Sequence, residues 1–211
     1  MAAAGSHRGL LPGPGGAGQA TVRASRLTGL AADSSTLCWS SLEGLVMATR
    51  SGSVDPGLLL WLQEHVGMPS QELAATLEHR SGLLGLAGTA DMQAVIARSE
   101  AGDGPALLVV GVYVHRLRAG IAAMTAAMDG LDVLVFTGGV GEHAPVIRAA
   151  ACAGLGFLGV RLDEAANVGA PAEGRPDREI GAAGEAVRTL VIEAREDLQI
   201  AHEVRQVLAN G

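Results

Sequence analysis

LDVLVFTGGVGEHAPVIR, residues Leu131–Arg148, is the stretch on which the reading of this chain turns. Leu131–Phe136 is a short run of aliphatic and β-branched side chains, the pattern of a buried strand. It enters Thr137-Gly138-Gly139-Val140-Gly141-Glu142-His143. Ala144–Arg148 then opens a helix, with Pro145 at a first-turn position where no backbone donor is lost. Strand, glycine turn and helix start together aim backbone N–H groups at one point, a geometry suited to an anion. Gly138, Gly139 and Gly141 leave the main chain open to close approach, where a Cβ would stand in the way. Two readings follow from the turn: a nucleotide phosphate loop, or a tight connection between strand and helix. Spacing adds a rival. Gly139-x-Gly141-x-x-Ala144 meets a relaxed dinucleotide fingerprint, and Asp163, about twenty residues on, stands where a ribose-binding acid is expected.

Outward from this turn, helix and strand signals alternate. Before it, Leu107, Val110, Val114, Leu117, Ile121, Met124 and Met128 recur at steps of three and four. They mark one stripe of a long helix over Pro105–Asp129, facing the core or a second subunit. Further upstream, Asp55-Pro56 opens a helix to His65, and Ser70 is expected to cap another that ends near Arg80. After the turn the pattern predicts a helix over Pro145–Ala153 and a strand over Phe157–Leu162. A loop-rich stretch, a strand over Thr189–Ile192 and an amphipathic helix over Arg195–Leu208 follow. Strands alternating with helices imply an α/β layer architecture. Residues 1–36, rich in Gly, Ala and Pro, show no sustained period and read as an irregular, disordered tail; residues 37–211 carry the folded domain.

Composition narrows the function classes. All 15 basic residues are arginine, so Walker A, Schiff-base and lysine general-base chemistry are excluded. Phosphate, if handled here, falls to arginine, backbone and metal. A formal net charge of −7 and aromatics confined to Trp39, Trp61, Tyr113, Phe136 and Phe157 argue against a nucleic-acid partner. Cys38 and Cys152 have no metal-ligand or disulfide spacing and read as small buried side chains. Gly, Arg or His interrupts each apolar run, so no membrane span is expected. No secretory signal pattern is seen at the N-terminus, and a cytoplasmic protein is the default expectation.

The flanking segments decide between the readings of the glycine turn. Leu42–Gly52 (LEGLVMATRSG) with Asp55-Pro56, Ser81–Leu86 (SGLLGL) with Asp91-Met92, Phe136–His143, Phe157–Val160 with Leu162-Asp163, and Glu196–Leu198 with Ile200-Ala201 occur in that order. Together they resemble the C-terminal part of acetate kinases, acyl-phosphate-forming enzymes of the acetate and sugar kinase, Hsp70 and actin superfamily. The resemblance implies an α/β, ribonuclease-H-like domain. It implies transfer of the γ-phosphoryl of ATP to acetate or another short-chain carboxylate, with Mg²⁺, and a homodimer formed through this domain.

Carried over residue by residue, the resemblance makes Arg50 the arginine that stabilises the migrating charge. It assigns Gly139, Val140, Gly141, Glu142 and His143, with Asp91, Met92 and Gln93, to nucleotide binding, and Glu196 to the metal. It turns Asp163 into a turn or surface residue. Gln93 stands where the family has arginine, His143 where it has asparagine, and Ser53 where it has aspartate. The family builds its site between two domains. The asparagine at the metal, second arginine, aspartate and histidine of the first domain have no assignable counterparts here. Gly15–Gly18 is glycine-rich without the family's phosphate-loop histidine. The motif resemblance starts at Leu42, which suggests a truncated product or a frame altered upstream. The alternatives are a non-catalytic adenine-nucleotide-binding remnant and a dinucleotide-binding Rossmann module.

Overall fold

The computed structural model describes residues 21–26, 30–33, 42–170 and 176–209. Two strands, β1 (Thr21–Arg26) and β2 (Leu30–Asp33), come first, within the segment expected to be irregular. Helices α1 (Pro56–His65), α2 (Ser70–His79), α3 (Gly82–Ala87), α4 (Met92–Glu100) and α5 (Gly104–Ala127) follow. Next come strand β3 (Val133–Thr137), helices α6 (Gly138–His143), α7 (Pro145–Ala153) and α8 (Glu164–Val168), and strands β4 (Arg178–Glu179) and β5 (Arg188–Val191). Helix α9 (Glu196–Ala209) closes the sequence of elements.

The strands make one mixed sheet in the order β2-β1-β3-β5-β4. Only β3 and β5 are parallel, with Val133 opposite Arg188 and Phe136 opposite Val191. A parallel pair needs a long crossover, and residues 138–187 supply it as α6, α7, α8 and β4. The core lies where α5 and α7 pack near this pair. Val109, Tyr113, Leu117 and Ile121 of α5 join Leu134 and Phe136 of β3, Ile147 and Ala151 of α7, and Val191 of β5. Arg118 fastens α5 to α7, donating from Nε to the Ala151 carbonyl at 3.1 Å and from Nη2 to that of Ala150.

Several sequence expectations change in three dimensions. The Pro105–Asp129 helix is present, and Val114, Leu117, Ile121 and Met128 of the expected stripe are buried, but at its start Ala106, Val109 and Tyr113 face the core instead of Leu107, which is 52 % exposed. Both sets obey the 3–4 spacing over this first half of the helix, and only the neighbouring elements choose between them. At 24 residues α5 is also long and apolar enough, by length and composition, to cross a membrane, contrary to the expectation that no run is; here one face of it is the core. Phe157–Leu162 is not a strand. Gly156–Leu158 forms a 3-10 turn, Gly159 adopts φ 82°, and Leu162 makes one isolated bridge to Gly181. Ser70 is the first residue of α2, and its hydroxyl accepts from Gln63 Nε2 instead of capping the helix. Cys152 is buried as expected, and burial pushes its thiol up to about 12, so it stays protonated and unreactive at neutral pH. Cys38 lies outside the described residues.

Candidate functional site

The glycine turn is helical. Gly138, at φ 74°, lets the chain turn directly from β3 into α6, a helix of 6 residues. A helix this short does not hold itself, since nucleation is costly. Its ends are held from outside. Glu142 Oε1 accepts from Gly138 N at 2.7 Å and from Ala194 N at 2.9 Å. At the other end the Arg148 guanidinium takes the carbonyls of Gly141 and Glu142. Gly141 is buried because α6 lies against β3: a Cβ would stand 3.3 Å from the Phe136 carbonyl carbon.

The segment bearing Arg50 is positioned by α3. Ser81 N, Leu83 N and Leu84 N donate to the carbonyls of Thr49, Met47 and Ala48, at 2.8, 2.8 and 2.9 Å. The orphan amides at the start of a helix are thus spent on the chain that carries the arginine. Ser51 N is held in turn by the Leu77 carbonyl of α2. Arg50 is half-buried, and among the described residues its guanidinium makes no hydrogen bond or ion pair.

A cavity of about 280 Å³ opens between these two structures. Asp91, Met92 and Gln93 at the start of α4 form one wall; Gly139, Val140 and His143 of α6 form the other. Val46, Met47 and Ala48 close one side, so the cavity ends two residues short of Arg50. Asp91 caps α4, accepting from Gln93 N at 2.9 Å, which fixes the direction in which that wall is presented. Two groups of residues far apart in sequence, both expected at the nucleotide, therefore share one cavity. A larger cavity of about 400 Å³ lies among α1, α2 and α3, lined mostly by aliphatic side chains such as Leu58, Leu62 and Leu77. None of the expected contacts lines it, so the smaller cavity is the candidate site.

Not every expected residue reaches this cavity. Gly141 and Glu142 are absent from its lining; one packs on β3 and the other clips backbone. Glu196 is exposed in the first turn of α9 and also outside the lining. It follows closely on Ala194, which Glu142 holds. Among the described residues no three His, Cys, Asp or Glu side chains form a metal cluster. One exposed carboxylate ligand suits only a hard cation that brings most of its own oxygen ligands, as Mg²⁺ does with a nucleotide.

Asp163 is exposed, and its side chain caps α8 by accepting from Ala166 N at 2.9 Å. With no strand before it, the strand–helix–strand–acid pattern of a dinucleotide fold is absent at this position. Sequence reasoning missed Tyr113, the chain's only tyrosine, which is 3 % exposed and lines the cavity. Burial raises its pKa, so the hydroxyl remains a donor at neutral pH. Reasoning also passed over Arg148 and Asn167, which bond to each other across 19 residues and to main-chain carbonyls.

The Acetokinase family model matches residues 16–202, beginning upstream of Leu42, where the motifs start. The acetate kinase of Gloeobacter violaceus is 46 % identical over 174 residues, covering 82 % of this chain and 42 % of that protein. The acetate kinase of Leifsonia xyli is also 46 % identical, over 81 % of this chain and 42 % of its own length. Among solved structures, Porphyromonas gingivalis acetate kinase superposes with a TM-score of 0.72 at 34 % identity, covering 79 % of this chain and 41 % of that one. A propionate kinase from Francisella tularensis gives 0.70 at 34 % identity, over 77 % and 40 %. The chain thus spans about two fifths of the length of its relatives. The mixed α/β fold is that of the acetate and sugar kinase, Hsp70 and actin type, and the chain belongs to the acetokinase family.

Proposed function

We propose that this chain carries the nucleotide half of an acetate kinase-type phosphotransferase site, for ATP plus acetate giving ADP plus acetyl phosphate. The observation that carries the reading is the convergence of Asp91–Gln93 with Gly139, Val140 and His143 in one cavity beside the Arg50 segment. In such a transfer a carboxylate oxygen forms a bond to the γ-phosphorus while the bond to the β-phosphate oxygen breaks. The catalyst's work is positioning and stabilisation of spread negative charge. The Arg50 guanidinium, without a partner among the described residues, is the group suited to that charge. Mg²⁺, with Glu196 as the protein's oxygen ligand, would screen the phosphates when bound. Family kinship with acetate and propionate kinases supports a short-chain carboxylate as acceptor. Exposed apolar side chains on α1 (Leu58, Leu60, Trp61) and early α5 (Leu107, Leu108) support self-association into a homodimer. A cytoplasmic setting belongs to the same reading.

Titration calorimetry is the direct test. Mg·ADP is expected to bind and NAD is not; the reverse would end the nucleotide assignment. Assayed as this 211-residue polypeptide, hydroxamate-detected acetyl phosphate formation is expected to be very low. The chain has no assigned counterparts of the first-domain arginine and histidine. Binding with no turnover at all would favour a second reading, a nucleotide-binding protein without catalysis. The departures at Gln93 and His143 fit that reading.

Tyr113 lines the cavity, and Tyr113→Phe keeps its ring and removes only the hydroxyl. ADP affinity is expected to fall about fivefold, the worth of one hydrogen bond, with little change in melting temperature. An unchanged affinity would show that the hydroxyl does not meet the nucleotide.

A further inference from the structure

Arg148 is a charged residue at only 1 % exposure, among the largest fully buried side chains of the protein. Among the described residues it has no carboxylate partner; neutral oxygens satisfy it. Nε donates to Asn167 Oδ1 at 2.7 Å, and Nη2 to the Asn167 carbonyl at 2.7 Å. Nη1 donates to the carbonyls of Gly141 and Glu142, both at 2.8 Å. Asn167 is 3 % exposed and donates from Nδ2 to the Pro145 carbonyl at 3.0 Å, at the start of α7. Burial, and then the neighbouring Arg178, pull the Arg148 guanidinium down to about 10, so it remains a cation at neutral pH.

A buried cation without a counter-ion is costly, and an apolar side chain would fill the space more cheaply. What the guanidinium does that an apolar group cannot is grip two successive carbonyls at the C-terminal end of α6. A cation is electrostatically suited to that end of a helix. The planar fork fixes direction as well as distance. α6 is the wall that brings Gly139, Val140 and His143 to the cavity. Its other end is already held by Glu142.

We propose that Arg148 is a positioning residue for the nucleotide cavity, with Asn167 as its anchor. It touches no ligand and lies outside the cavity lining, yet it sets the placement of the wall that does. This inference rests on the nucleotide reading above for its ligand but not for its local mechanics.

The test uses Arg148→Lys, which keeps the charge and loses the fork. Asn167→Ala, which removes the side-chain bonds to Arg148 Nε and the Pro145 carbonyl, keeps the main-chain carbonyl for Nη2 and leaves Arg148 in place, is the second variant. Amide hydrogen exchange is followed in the nucleotide-free protein, and Mg·ADP is titrated into each variant. Exchange at Glu142, His143 and Ala144 is expected to rise about tenfold while amides of Tyr113–Ile121 in α5 stay within about twofold of wild type. The dissociation constant for ADP is expected to rise about tenfold. Unchanged exchange at Glu142–Ala144, or a uniform rise across α5 and α6, overturns the proposal. So does a local rise that leaves ADP affinity untouched. If wild type itself fails to bind ADP, the nucleotide reading falls, and the exchange pattern alone decides whether Arg148 holds α6.

Discussion

Replacing Gly82 by alanine is expected to destabilise the chain by about 3–5 kcal/mol and to remove nucleotide binding. Gly82 opens α3 at φ 59°, the left-handed region, where an L side chain costs about 1–2 kcal/mol. A Cβ there would also collide with the Met47 carbonyl oxygen and stand 2.7 Å from that of Arg50. Both contacts are backbone, so neither can swing aside; the helix and the Arg50 segment must part. Parting them breaks the bonds from Ser81, Leu83 and Leu84 that place residues 47–49 beside the cavity. Gly88→Ala is the control. Gly88 has φ 71° with no atom within 4 Å of its ideal Cβ, so only the conformational cost remains. Chemical denaturation of the two variants separates strain from collision. Equal losses would mean that the close approach at Gly82 is unimportant.

Glu142→Ala is expected to cost about 2 kcal/mol, because one carboxylate oxygen serves two backbone donors in separate parts of the chain. Partial exposure to solvent keeps the figure well below that of a fully buried pair. Loss of the contact to Ala194 also frees the connection that leads into α9, and with it Glu196. Glu142→Gln keeps an oxygen acceptor and should recover about half of the loss. The measurement is melting of the nucleotide-free protein. A direct nucleotide contact would leave that melting temperature unchanged and alter only ADP affinity. That result would refute the clip.

Much of the helical architecture was legible from local pattern. Asp55 before Pro56, the stripe of the long helix, and Pro145 after the glycine turn each mark an element the structure contains. The failures share a cause. Phe157–Leu162 has the apolar composition of a strand, but Gly156 and Gly159 bend it, and only its end pairs, through the isolated bridge of Leu162 to Gly181. The glycines of 138–141 read as an open loop, whereas β3 and the two clamps on α6 make them helical. Their freedom serves the turn at Gly138 and the close packing at Gly141. Leu107 satisfied the spacing of the buried stripe and is exposed, since periodicity fixes a set of faces and not which one meets the core.

The order of motifs along the chain was enough to establish kinship and fold class and to single out Asp91–Gln93, Gly139, Val140 and His143, which now share the cavity, because each motif is a local run whose types can be read without knowing its neighbours. Which of those residues form the wall, and which brace it, was decided only by folding. Glu142 and Arg148 act on main-chain atoms that belong to other elements or to the far end of their own, and Tyr113 reaches the cavity from the buried face of α5. A hydrogen bond to a backbone carbonyl carries no residue-type signature at its acceptor, so no reading of side chains in order could have paired them.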